Sequence, residues 1–127
     1  MYMNPRILDL GLSVLSNEAT RLDICHTEPT TYAQATSAYT VGNKTSLDVG
    51  DPAARSPSGR KVTVAAITDG TVTTTSTSGA NDPAFWAITD TVDSRLLLVG
   101  PIQTPKFVYT DDGFTMDAFD FGIPDLA

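Results

Sequence analysis

Cys25 and His26 have the greatest catalytic potential in this chain, because they are its only cysteine and its only histidine. A thiol beside an imidazole can ionise to a nucleophilic thiolate. The two residues end the segment TRLDICH, whose alternation of apolar and polar residues predicts a strand from Thr20 to His26, half-buried, with Cys25 on its polar face. Adjacent side chains of a strand point to opposite faces, so this pair is not expected to meet. No nucleophile-elbow sequence supports a triad built on His26 either.

Aspartates are the other residues that could carry chemistry, as calcium ligands. Asp111, Asp112, Asp117 and Asp120 lie close in sequence, and the fold could add Asp93. Calcium takes about six to eight oxygens, and no EF-hand spacing is present. Turn chemistry and solvent-facing positions explain these carboxylates more simply. One cysteine and one histidine are too few for a typical zinc site, so we predict no metal, no cofactor and no enzymatic activity.

The composition is that of a small acidic β protein. A length of 127 residues predicts one domain. The chain has 19 Thr but only two Glu and three Lys, which are the residues that usually coat exposed helices. A net charge of −7 disfavours binding to nucleic acid or to an anionic membrane surface. A single cysteine excludes an internal disulfide, which fits assembly in a reducing cytosol.

The N-terminus contains the one convincing helix signal. Asn4-Pro5 is typical of a helix start, and the apolar spacing predicts a helix from about Pro5 to Asn17. We therefore divide the chain into an N-terminal helix or arm, residues 1–19, and a β domain, residues 20–127. The apolar stripe could pack on its own domain or on a neighbouring subunit. Under the second alternative, the intersubunit contacts would include Ile7, Leu8, Leu12 and Leu15.

The segment from Pro83 to Pro101 predicts the central hairpin of the core. It holds the only tryptophan, Trp86, and the apolar run Leu96–Val99, separated by a polar turn at Asp90–Ser94. A strand that is apolar on both faces must be covered on both faces. We expect the N-terminal helix, a loop or a partner chain to cover the outer one.

Three further segments predict strands. Lys61–Thr77 predicts a hairpin with a type I′ turn at Asp69-Gly70. Thr45–Val49 predicts a weak strand. In Phe114–Pro124 the apolar phase switches at Ala118-Phe119, which indicates a bulge or a crossing between two sheets.

Together these patterns predict an all-β, single-domain β-sandwich or small barrel with a short N-terminal helix. It would contain about seven short antiparallel strands.

The segment Asp51–Arg60 predicts an exposed loop, because it holds two prolines and a glycine and has little to bury. Arg55, Arg60 and Lys61 place three of the eight cationic residues in or beside it. A solvated loop tip is one interpretation. The other is a contact loop that binds an acidic neighbour through Arg55 and Arg60.

Three segments resemble small tailed-bacteriophage virion proteins of the capsid decoration or tail-like kind. They are Arg21–Thr45, Ala84–Gly100 (AFWAITD and SRLLLVG) and Phe114–Asp125. The resemblance lies in the residue patterns of the strands and in the positions of the turns, and it implies no catalytic residue. It implies a bacteriophage virion structural protein, assembled in the host cytoplasm, that binds the major capsid protein or other virion proteins, with a homo-oligomer on the particle. A capsid decoration (cement) protein on the head surface is the first expectation.

Two alternatives remain open on sequence grounds. One is a tail, head–tail connector or receptor-binding adaptor component of the same kind of particle. The other is a small carbohydrate-binding module that stacks sugars on Trp86 or Tyr109.

Overall fold

The computed structural model describes residues 11–56, 59–74, 82–102 and 109–123 of the chain. Within these ranges it contains one α-helix, one π-helical turn and nine strands. The bounds are α1 Ser13–Glu18, the π-helical turn Gln34–Ala38, β1 Arg21–Cys25, β2 Thr40–Thr45, β3 Ala53–Ala54, β4 Arg60–Val64, β5 Ile67–Val72, β6 Phe85–Asp90, β7 Arg95–Pro101, β8 Gly113–Met116 and β9 Phe119–Ile123.

The strands form two antiparallel sheets, which confirms the predicted all-β sandwich. The large sheet has the order β7-β6-β1-β2-β5-β8 and the small sheet β3-β4-β9. Within the described residues neither sheet closes into a barrel. The described residues contain nine strands rather than about seven, because β2 and the two-residue β3 were not predicted and the last predicted strand is split into β8 and β9.

The main core joins the two sheets. It combines buried side chains of the large sheet, such as Leu22 and Ile88, with Val62 and Val64 of the small sheet. Side chains that alternate inward from two facing sheets bury a continuous apolar layer. This layer holds the sandwich together.

The N-terminal helix is shorter than predicted. Gly11 has a φ of +74°, a left-handed conformation that interrupts an α-helix, and α1 begins only at Ser13. Residues 5–10 of the predicted helix, with Ile7 and Leu8, lie outside the described residues. Leu12 and Leu15 are buried in the core of their own chain. For these two residues the structure shows packing on the chain's own domain rather than an intersubunit contact.

The hairpin predicted in Pro83–Pro101 is confirmed, and a loop of the same chain contributes to its outer face. A register shift between Ile88 and Thr89 accompanies a bulge in the β6–β7 pairing. Leu97 and Leu98 belong to the main core, and Leu96 and Val99 to a second cluster. The second cluster also contains Cys25, Ala35 and Ala87, with Tyr39 and Phe85 packed against it.

The second cluster corrects the prediction that β1 is half-buried. The segment between β1 and β2, which includes the π-helical turn, lies over the face of β1 that was expected to meet solvent. Asp23 and Cys25 on this face are fully buried. The outer face of the central hairpin is therefore covered by a loop, so it gives no argument for a partner chain.

The predicted hairpin with a turn at Asp69-Gly70 is wrong. β4 and β5 belong to different sheets, and the chain crosses between them at Ala65-Ala66. Neither Asp69 nor Gly70 has the positive φ of a type I′ turn. Gly70 lies within β5, where a Cβ atom would come 2.5 Å from the ring of Phe114. A glycine at this position therefore allows the ring of Phe114 to pack against the backbone. Residues 75–77 of the predicted hairpin lie outside the described residues.

The structure also tests the predictions for Thr45–Val49 and for the phase switch at Ala118-Phe119. The strand predicted at Thr45–Val49 is wrong, because β2 ends at Thr45, Ser46 has a φ of 53° and Val49 makes only an isolated bridge to Val64. The phase switch at Ala118-Phe119 is confirmed as a crossing, since β8 lies in the large sheet and β9 in the small one.

Candidate functional site

Cys25 and His26 are directed to different partners. The Cys25 thiol lies 3.6 Å from the carbonyl oxygen of Ala35, to which it donates a hydrogen bond. The Nδ1 atom of His26 lies 2.8 Å from the Thr27 hydroxyl, and its ring packs against Tyr39. Burial raises the pKa of the Cys25 thiol to about 12, and the charge of Asp23 adds to this effect. At neutral pH Cys25 is therefore a protonated core residue.

This environment predicts that Cys25 reacts with thiol reagents only after unfolding. Only the thiolate is nucleophilic, and the side chain is fully buried. We expect a thiol-specific disulfide reagent at pH 8 to label the native protein at least about a hundredfold more slowly than the protein in denaturant. Rapid stoichiometric labelling of the native protein would contradict the buried assignment.

The aspartates considered as calcium ligands do not come together in the described structure. Asp120 accepts hydrogen bonds from Thr63 at 2.6 Å and from Lys61 at 2.9 Å, and these lower its pKa. Asp93 pairs with Arg95 in the β6–β7 hairpin. Among the described residues no group of three or more metal-ligating side chains forms.

The β3–β4 hairpin of the small sheet is where the structure brings predicted residues together. Arg55 and Lys61 line one pocket on the outer face of this sheet, whereas Arg60 has the phase of the buried Val62. We call Arg55, Arg60 and Lys61 the basic patch. β3 and β4 form a hairpin with Ala54 opposite Arg60, and the Arg55 amide donates to the Gly59 carbonyl at 3.0 Å. Gly59 has a φ of 92°, which favours glycine at this point of the connection. The hairpin returns the chain so that Arg55 lies beside Arg60 and Lys61. The prediction of a loop without strands is therefore wrong at Ala53–Ala54.

Arg55 reaches across the small sheet to β9. A Cβ atom on Gly122 would lie 2.6 Å from the Cδ atom and 2.9 Å from the Nε atom of Arg55. Because β4 lies between β3 and β9, the arginine side chain extends over β4 to reach the glycine. A surface pocket of about 380 Å³ is lined by Arg55, Ser56, Lys61, Asp120 and Gly122.

Within the basic patch, Lys61 forms an ion pair with Asp120, and Arg60 is the residue that differs from the paired cations elsewhere in the described structure. Arg21, Lys44 and Arg95 each form an ion pair with an acidic side chain. Arg60 is exposed and donates to the carbonyl oxygen of Pro52 at 3.2 Å, with no carboxylate partner among the described residues. The patch combines three cations with the carboxylate of Asp120 on a chain whose net charge is −7. An acidic group is the ligand that this surface would attract.

A second polar cluster, which sequence reasoning missed, lies beneath the π-helical turn. The carboxylate of Asp23 accepts two hydrogen bonds from Arg21, at 2.7 and 2.8 Å, and one from Thr40 at 2.7 Å. The Arg21 guanidinium also donates to the Thr36 carbonyl at 3.4 Å. Burial raises the pKa of Asp23, and the hydrogen bonds and the charge of Arg21 offset part of this effect. Arg21 and Asp23 are two residues apart on one predicted strand, and this spacing could have indicated an ion pair on one strand face.

The aromatic residues proposed as sugar platforms are placed very differently. The ring of Trp86 occupies the space where Gly100 would carry a side chain, and it packs 4.9 Å from the ring of Phe119. The Trp86 ring therefore packs within the protein, which is not the arrangement of a sugar-stacking platform. Tyr109 is 61% exposed.

Comparisons with known proteins do not add a function to this geometry. None of the helices in the described ranges has the length and apolar character needed to span a bilayer. No protein-family model, curated protein or solved structure matches the chain.

Proposed function

We propose that the protein is a structural component of a virion, a capsid decoration protein that binds an acidic surface of the head through its basic patch. The observation that supports this contact surface is the clustering of Arg55, Arg60 and Lys61 at the β3–β4 hairpin of a chain with net charge −7. Charge complementarity of this kind selects partners and speeds their encounter.

The virion context is supported by the likeness of three sequence segments to small tailed-phage proteins. These segments supply most of β1, β2, β6, β7, β8 and β9. Since β1, β2, β6 and β7 are neighbours in the large sheet, most of the similar residues belong to this sheet. The same support applies to the alternative, a tail, connector or receptor-binding adaptor component. Copy number in purified particles separates the two: a number comparable to that of the major capsid protein supports decoration, and a few copies per particle support the alternative.

Reversing the charge of Arg60 is expected to weaken binding to capsids. In Arg60→Glu the patch loses a cation and gains an anion, so we expect the dissociation constant for capsids lacking the protein to rise about tenfold or more. The loss should shrink at high salt, because exposed charges are screened. Cosedimentation of the protein with such capsids measures the effect.

Lys44→Glu is the matched control, since it reverses a cation on the large sheet that is paired with Asp69. It should bind as the unaltered protein does. Equal losses for the two variants, or none for either, would show that the basic patch is not the contact surface.

A further inference from the structure

Among the described residues, the small sheet ends in an unpaired edge at β9. In the order β3-β4-β9, no described strand pairs with the outer side of β9. Asp120 and Ile123 remain exposed there, and Ile123 is 39% exposed although it is a large apolar residue. An unpaired strand edge presents amide and carbonyl groups that can bind another strand.

The register identifies which backbone groups point outward. On β4, the Thr63 carbonyl accepts from Gly50 and the Ala65 amide donates to Asp48, so these odd-numbered residues face away from β9. The even-numbered residues Val62 and Val64 therefore bond to their partners Phe121 and Phe119. Along β9 the alternation leaves the amide and carbonyl groups of Asp120 and Gly122 pointing to the open edge.

We propose that β9 pairs with β9 of a second copy of this chain, antiparallel about a twofold axis at Phe121. Asp120 of each copy then lies opposite Gly122 of the other, and these are the residues whose backbone groups face outward. Phe119 lies opposite Ile123, which covers the exposed isoleucine with an apolar neighbour. The two small sheets become one continuous sheet, and no two like charges lie directly opposite each other.

Charge complementarity selects a second copy as the occupant. The Cδ and Nε atoms of Arg55 lie over Gly122, so the start of its guanidinium is over β9, the last described strand of the small sheet. In the twofold pairing the Cα atom of Asp120 in the other copy lies about 5.5 Å from that of Gly122, on the same sheet face. Each interface therefore contains two symmetric pairs of Arg55 with the other copy's Asp120. This inference rests on the edge of β9 and on the position of Arg55, and it does not depend on capsid binding by the basic patch.

Mixing two charge-reversed variants tests the pairing. Arg55→Glu and Asp120→Lys each place like charges at both symmetric contacts, so each variant alone should dimerise at least about tenfold more weakly than the unaltered protein. A mixture of the two contains only opposite charges at both contacts of the heterodimer. We expect light scattering after size exclusion to show a dimer for the unaltered protein, monomers for each variant and a dimer for the mixture.

Further variants separate this result from misfolding. Gly122→Pro removes an outward-facing amide without removing a bond to β4, and its ring also displaces the Arg55 side chain, so it removes both kinds of contact and should give a folded monomer by circular dichroism. Lys44→Glu should remain a dimer. A monomeric unaltered protein, charge variants that stay dimeric, or a mixture that stays monomeric would each overturn the proposal. Because capsid binding is not measured, failure of the proposed function leaves these outcomes unchanged.

Discussion

Replacing Arg21 by leucine is expected to lower the free energy of unfolding by about 3 kcal/mol at pH 7. Asp23 is fully buried and receives two of its three hydrogen bonds from Arg21. Without the arginine, a buried carboxylate would retain only the hydroxyl of Thr40. The Arg21 side chain is 22% exposed, which places the expected loss at the lower end of the range for buried ion pairs. Chemical denaturation followed by fluorescence measures it.

The loss should depend on pH in a defined direction. Burial already raises the pKa of Asp23 in the folded protein, and removing Arg21 raises it further. A carboxyl group with a raised folded pKa contributes stability below its unfolded pKa, near 3.9, and loses that contribution as the pH rises through the folded value. The difference between Arg21→Leu and the unaltered protein should therefore be small below about pH 4 and largest near neutrality.

Arg95→Leu is the matched control for this prediction. Arg95 also pairs with two carboxylates, but Glu18 and Asp93 are partly exposed, so the expected loss is at most about 1 kcal/mol. Adding Asp23→Asn to Arg21→Leu should recover much of the stability at pH 7, because no buried charge remains. If Arg21→Leu costs no more than Arg95→Leu, or costs the same at pH 4 and pH 7, the buried pair does not stabilise the fold as argued.

Truncating Leu15 to alanine is expected to cost about 2–5 kcal/mol of unfolding free energy. Leu15 is fully buried and belongs to the core that joins both sheets, although it lies on a helix of only six residues. Such a short helix has little stability of its own, so its packing holds it in place. The variant leaves a cavity at that contact. Thermal and denaturant unfolding measure the loss.

Asn17→Ala provides the control on the same helix, because Asn17 is exposed. Its effect should stay within about 0.5 kcal/mol. If Leu15→Ala were equally mild, α1 would not be part of the core and the interpretation as an intersubunit arm would regain support. Deleting residues 1–16 would not separate these alternatives, since it removes Leu12 and Leu15 from the core together with any arm.

Local patterns in the sequence predicted the parts of the fold that depend on neighbouring residues. The hairpin around Asp90–Ser94 and the crossing at Ala118-Phe119 follow from apolar alternation, which is a property of a single strand and its turn. The Asp69-Gly70 turn failed because the same dipeptide also fits a position where an aromatic ring presses on the backbone. Contact with Phe114 comes from a strand more than forty residues later, so no local pattern could reveal it.

The candidate basic patch also has one part that the sequence predicted and one part that depends on the tertiary structure. The sequence indicated that cations concentrate at Arg55, Arg60 and Lys61, since their proximity along the chain is visible directly. It could not place Gly122 beneath Arg55, because that contact needs the pairing of β4 with β9.

By itself the sequence determined the β class, the acidic charge and the central hairpin, because composition and alternation act through each residue and its immediate neighbours. Only the tertiary structure decided that the chain's own π-helical turn lies over the face of β1 that carries Cys25, and that no described strand pairs with the outer edge of β9. Both depend on which distant segments pair, and the apolar pattern of a strand says that a face must be covered without saying what covers it.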